Sequence, residues 1–115
     1  SGATAANALL DLENPPTAII ISNDQMTLAA LDAAKKRGLN IPDDLSLISF
    51  DNTPVVRFTV PELTAVDQPI AATFSKAVEL LITNGDAPVP HQPVVIEGNL
   101  IERSSTAPPR RHDRA

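Results

Sequence analysis

The sequence predicts an α/β fold built on a parallel sheet, and three observations carry that prediction. Three short apolar runs are rich in β-branched residues: Ala18-Ile19-Ile20-Ile21, Leu45-Ser46-Leu47-Ile48-Ser49-Phe50 and Leu63-Thr64-Ala65-Val66. Runs of this kind suit strands buried on both faces. The first two are separated by one helical segment, so residues 18–50 have the size of a single βαβ unit with a right-handed crossover. Each run also ends in a small polar cluster: Ser22-Asn23-Asp24, Asp51-Asn52 and Asp67-Gln68-Pro69. In a parallel sheet the carboxyl ends share one edge, the edge where open α/β sheets bind ligands. The three clusters are therefore expected to gather there.

Taken in order, residues 3–13 favour helix through Ala and Leu, with Ala5, Ala8, Leu9 and Leu12 forming one apolar stripe. Asn14-Pro15-Pro16-Thr17 ends that helix, since proline disfavours helical backbone in the residue before it. After the first strand, Asp24 stands where an N-cap is expected for a helix running to about Arg37. Met26, Ala29, Ala30, Ala33 and Ala34 give it a face of mostly small residues that can lie close to a sheet. Lys35, Lys36 and Arg37 suit the negative end of its dipole, and Gly38 is a natural left-handed terminator. The stretch between Asn52 and Glu62 is irregular, with Pro54 and Pro61 and room for a short helical turn. Residues 70–82 form a strongly amphipathic helix, with Ile70, Phe74, Ala77, Val78 and Leu81 on one side. Val94 to Glu97 and Leu100 to Arg103 read as short strands around Gly98-Asn99, and Thr106 onward reads as a solvated tail.

Composition narrows the function classes. A chain of 115 residues suits one small domain, and its three phenylalanines, with no Trp or Tyr, require an aliphatic core. A net charge of −5 without a clustered basic patch argues against nucleic-acid binding by this segment itself. The absence of cysteine removes disulfides and thiolate chemistry and is compatible with the cytoplasm. His91 and His112 lie in a proline-rich loop and the tail, so neither a catalytic triad nor a metal site is expected. No glycine-rich phosphate loop follows a strand, and no cofactor is implied. No apolar stretch reaches membrane-spanning length. The chain opens at Ser1-Gly2 directly into a helical pattern, which reads as a piece of a longer protein.

Asn23 and Asp51 are the candidate binding residues, because each directly follows a predicted parallel strand. An ionised Asp offers only acceptors and Asn offers both kinds of group, a pair suited to a ligand with several hydroxyls or N–H groups. The competing reading is purely local: Asn23 and Asp24 cap a helix, and Asp51 closes a turn.

Several stretches, in this order and spacing, closely resemble the C-terminal portion of the LacI/GalR family of bacterial transcription regulators. They are Pro16-Thr17-Ala18-Ile19 leading to Asn23-Asp24, Gly38-Leu39-Asn40-Ile41-Pro42-Asp43-Asp44 running on to Phe50-Asp51, Pro61-Glu62-Leu63-Thr64-Ala65-Val66-Asp67-Gln68-Pro69, and Ser105-Thr106-Ala107-Pro108-Pro109. The resemblance implies a periplasmic-binding-protein-like effector domain, a three-layer parallel-sheet lobe present here as a fragment. Residues 1–66 would belong to the C-terminal lobe. Residues 67–92 would cross the hinge at Asp67 and Gln68 to the N-terminal lobe, residues 93–107 would return, and 108–115 would be a disordered tail. The helix at 70–82 would then lack its usual partners, and is expected either displaced or docked on a second copy. By the same resemblance Asn23, Asp51 and Ile70 would touch the effector, and Leu28, Leu31, Val55, Val56 and Phe58 would pair protomers in a homodimer.

The family pattern is departed from at Ser49, where glycine is common, at residues 60–65, and at Ala29. Ile70 stands where some relatives place an aromatic ring. The expected function is the effector-binding and dimerisation part of a cytoplasmic regulator that senses a small molecule such as a sugar. Such a regulator would bind operator DNA through a helix-turn-helix outside this chain and would not be an enzyme. A periplasmic sugar-binding protein of a transport system is the alternative with the same architecture.

Overall fold

The computed structural model describes residues 1–88 and 92–110. Helix α1 (Gly2–Leu10) starts at Ser1, whose hydroxyl accepts from the Thr4 amide, and it packs along helix α2 (Asp24–Lys36). A Cβ on Gly2 would sit 2.7 Å from Met26 Cα, so this close helix crossing requires glycine. Arg37 clamps the pair from the other end, donating to Asn7 Oδ1 at 2.5 Å and to Asp11 Oδ1 at 2.7 Å. The buried face of α1 differs from the expected stripe. Ala6 is buried and Leu10 partly so, whereas Leu9 and Leu12 are exposed. In a helix this rich in alanine the small residues occupy every side, and spacing alone does not choose the face.

The sheet has the order β1-β2-β3-β4. Strands β1 (Ala18–Ile21), β2 (Ser46–Phe50) and β3 (Thr64–Asp67) run parallel, and β4 (Asn99–Ile101) pairs antiparallel with β3. Helix α2 crosses from β1 to β2 and covers Leu47 and Ser49 with Ala30, Ala33, Ala34 and Thr27. It ends as expected, with Gly38 at φ +70 just beyond. The core is aliphatic: Ile21, Leu45, Leu47, Val56, Leu63 and Ala65 join those alanines.

Three expectations change here. Strand β1 forms the sheet edge and is not buried on both faces: Ile20, on the face away from α2, is 68% exposed. No described helix supplies the further layer expected there. Val94 to Glu97 forms no strand; the return segment pairs only at β4, with Asn99 opposite Asp67 in place of a turn at Gly98-Asn99. Nor is residue 106 the start of a tail. Ser105 is fully buried beside β2, accepting from the Thr64 amide and donating to the Leu47 carbonyl, and Ala107 bonds Ser46. This segment continues the β2 edge in the gap before β3 begins. Arg110 pairs with Asp44 at 2.7 Å, and His91 and residues 111–115 lie outside the described residues.

Helix α3 (Ile70–Asn84) stands apart. None of its residues is buried, and Phe74 and Leu81 are 69% and 71% exposed. Its presence makes the chain long, with a radius of gyration of 18.4 Å and a longest extent of 65 Å. A compact chain of this length would have a radius near ~13 Å. Among the described residues nothing covers the apolar side of this helix.

Candidate functional site

The first strand-end turn belongs to Asn23. Its backbone is extended and its Oδ1 accepts from the Met26 amide at 2.8 Å, so Asn23, and not Asp24, caps α2. Asp24 is instead the first helical residue and is 5% exposed. Its Oδ1 accepts from the Ser49 hydroxyl at 2.5 Å, and its Oδ2 accepts from the Thr53 amide at 2.7 Å and from the Thr53 hydroxyl. The Thr27 hydroxyl lies 2.9 Å from Ser49 Oγ, completing a buried polar chain between α2 and β2. A carboxylate so far from water is tolerable because these donors, and the free amides of the helix start, replace its hydration. Ser49, a departure from the family pattern, therefore has a structural role.

The second turn presents Asp51. Asp51 and Asn52 have φ of 97 and 53, consecutive left-handed residues in which neither is glycine. Each such conformation costs on the order of 1–3 kcal/mol and persists only where the surroundings fix it. The Asp51 amide donates to the Val66 carbonyl at 3.0 Å, and Gln68 Nε2 donates to Asp51 Oδ1. Asn52 Oδ1 accepts from Arg103 Nη2 at 2.6 Å.

Asn23 and Asp51 line one cleft of about 450 Å³, together with Asp24, Gln25, Leu28, Thr53 and Val55. The third polar cluster reaches this site through Gln68, which grips Asp51. Ile70 does not line the cleft; it lies 56% exposed at the start of α3. Among the described residues, Asn23 Nδ2 and Asp51 Oδ2 have no side-chain partner, leaving one donor group and one anionic acceptor in a shared cleft. Capping and ligand binding are thus compatible at Asn23, because capping uses only its oxygen. No grouping of three or more His, Cys, Asp or Glu among the described residues could hold a metal ion. Among them, too, no helix is long and apolar enough to cross a membrane.

The residues expected to pair protomers divide. Leu28 and Leu31 line a groove of about 570 Å³ with Leu39, Ile41 and Val60, while Val55, which lines the Asn23–Asp51 cleft, and Phe58 are exposed. Val56 does not belong with them: it is fully buried in the core, where the 3-10 turn Pro54–Arg57 points it inward. Irregular backbone has no period from which that inward side could be read. Val60, 92% exposed, was missed for the same reason. Arg103 was also missed, since it reaches Asn52 across 51 positions of sequence.

Comparison with known proteins agrees with this architecture. The family described as periplasmic binding protein-like domain matches residues 1–106. The HTH-type transcriptional regulator MalR of Streptomyces coelicolor is 39% identical over 107 residues, covering 92% of this chain and 30% of that protein. A LacI family transcriptional regulator from Bifidobacterium animalis subsp. lactis superposes with a TM-score of 0.80 at 38% identity, covering 96% of this chain and 41% of that one. A complex of the transcriptional regulator CelR with cellobiose superposes at 0.81 and 30% identity, covering 91% and 32%. The chain spans about a third of the length of such relatives. From the matched domain, the parallel sheet and these relatives, the chain belongs to the periplasmic-binding-protein-like effector domains of the LacI/GalR family.

Proposed function

We propose that this chain is the effector-binding and dimerisation part of a bacterial, cytoplasmic, sequence-specific DNA-binding transcription regulator that senses a small polyhydroxy molecule, a sugar. The observation that carries the reading is the shared cleft. Asn23 and Asp51, from the ends of adjacent parallel strands, each keep an unused polar group there. An N–H donor beside a carboxylate oxygen matches neighbouring hydroxyls, which both accept and donate. The cellobiose bound to CelR supports the ligand class.

Residues 1–66 form the lobe that carries the cleft, and the chain leaves it at Asp67. It returns alongside at Asn99, which supports a hinge at Asp67 and Gln68 with α3 and residues up to 92 belonging to the other lobe. Ile70, just past that hinge, would meet the ligand only when the lobes close over it. Because Gln68 holds Oδ1 of Asp51, a ligand hydroxyl donating to the free Oδ2 shares one carboxylate with a hinge contact. Differential affinity for the two lobe arrangements then shifts their populations and the dimer's fit to operator DNA. Leu28, Leu31, Val55 and Phe58 supply the dimer surface. Isothermal titration of the intact protein with cellobiose, maltose and a panel of monosaccharides tests the reading. It predicts saturable binding of at least one sugar, weakened by Asp51→Asn; binding that Asp51→Asn leaves unchanged removes this carboxylate from the site.

A further inference from the structure

Asp51 and Asn52 form a left-handed pair without glycine, so something must hold the turn that aims the cleft carboxylate. The flanks are fixed by the Asp51 amide on the Val66 carbonyl and by the Thr53 amide on Asp24. Between them, the Asn52 side chain has one partner among the described residues, the guanidinium of Arg103. That guanidinium spans two acceptors, donating through Nη2 to Asn52 Oδ1 at 2.6 Å and through Nη1 to the Leu63 carbonyl at 2.6 Å. Its own backbone amide is anchored on Thr64 Oγ1 at 3.0 Å. Arg103 is half-buried, and among the described residues it makes no ion pair, so its charge is directed at neutral oxygens. A guanidinium presents its donors in a rigid planar fork; seating one arm on Leu63, just before β3, therefore fixes where the other arm holds Asn52.

We propose that Arg103 is a positioning residue of the cleft. Arriving on the segment that follows β4, it locks Asn52 in the left-handed region and so sets the direction of the Asp51 carboxylate gripped by Gln68. The inference rests on the functional reading above only in treating Asp51 as a ligand contact.

The test needs no ligand, so its failure and the failure of sugar binding are distinguishable. Backbone amide exchange and side-chain amide resonances are followed by NMR in the full ¹⁵N-labelled chain, for Arg103→Met, Arg103→Lys, Asn52→Gly and the Arg103→Met/Asn52→Gly pair. In Arg103→Met the Asp51 amide exchanges roughly tenfold faster or more, and the Gln68 side-chain resonances move, while Ala30 and Ala34 in α2 keep their protection. Lysine, which reaches one acceptor at a time, restores neither signal. In the Asn52→Gly background, which adopts positive φ freely, Arg103→Met has no further effect on Asp51. An unchanged Asp51 and Gln68 in Arg103→Met overturns the proposal, as does loss of protection spread equally over α2, full rescue by lysine, or additive effects in the pair. Should Arg103→Met fail to fold, Asn52→Ala, which removes only the shared acceptor, must produce the same local changes or the proposal falls.

Discussion

Replacing Ser49 by alanine removes one hydroxyl from a fully buried position, the link between Thr27 and Asp24. The hydroxyl is the partner of Asp24 Oδ1, while the two contacts from Thr53 both fall on Oδ2. Thr27 keeps an acceptor, the Asn23 carbonyl at 2.8 Å, so the change orphans only the carboxylate oxygen. A hydrogen bond to a charged group contributes about 1.5–3 kcal/mol, which sets the expected loss near 2 kcal/mol. For a domain slightly above 100 residues that is a fall in Tm of roughly 8 °C. Urea unfolding followed by far-UV circular dichroism reads it, since a chain without Trp or Tyr offers no useful intrinsic fluorescence. Ser49→Gly should cost about 0.5–1 kcal/mol more, from the added backbone freedom of the unfolded chain. A Ser49→Ala variant within about 0.5 kcal/mol of the parent would refute the buried network as a source of stability.

The neighbouring residues Val56 and Phe58 should separate cleanly. Val56→Ala costs about 2 kcal/mol in unfolding, from a core cavity, whereas Phe58→Ser changes stability by less than about 0.5 kcal/mol but weakens dimerisation in sedimentation equilibrium. Asp51→Asn lowers affinity for a bound sugar by about 1–3 kcal/mol, measured calorimetrically, while unfolding midpoints stay close to the parent. Phe74→Ser and Leu81→Ser, on the uncovered face of α3, leave unfolding within about 0.5 kcal/mol and reduce concentration-dependent self-association of the isolated chain. Gly38→Ala costs about 1 kcal/mol from its positive φ alone, because a Cβ there meets nothing.

The fold was legible wherever a local rule had one solution. The three apolar runs that end in polar clusters read as strands and are strands, whereas Val94 to Glu97, also β-branched, forms none; Gly38 after three basic residues could only end a helix. Two prolines could only separate helix from strand. The strand-end placement of Asn23 and Asp51 followed from parallel topology, and the structure brings both to one cleft. What escaped depended on contacts between distant segments. The chain from Thr27 through Ser49 to Asp24 exists only once α2 lies on β2. Arg103 meets Asn52 only when the return segment pairs beside β3, and Val56 turns inward in backbone that has no period. Adjacent Asn23 and Asp24 are both good caps by type. Only the buried partners of Asp24, supplied from β2 and Thr53, decide which of the two is drawn inward.

NMR titration of the intact, ¹⁵N-labelled protein with cellobiose and maltose, following the side-chain amide of Asn23 and the backbone amide of Asp51, probes the shared cleft most directly. Both signals should move along one saturation curve, with the Gln68 side-chain amide following because it shares the Asp51 carboxylate with the ligand. A sugar that saturates the protein while either residue stays silent would contradict the account.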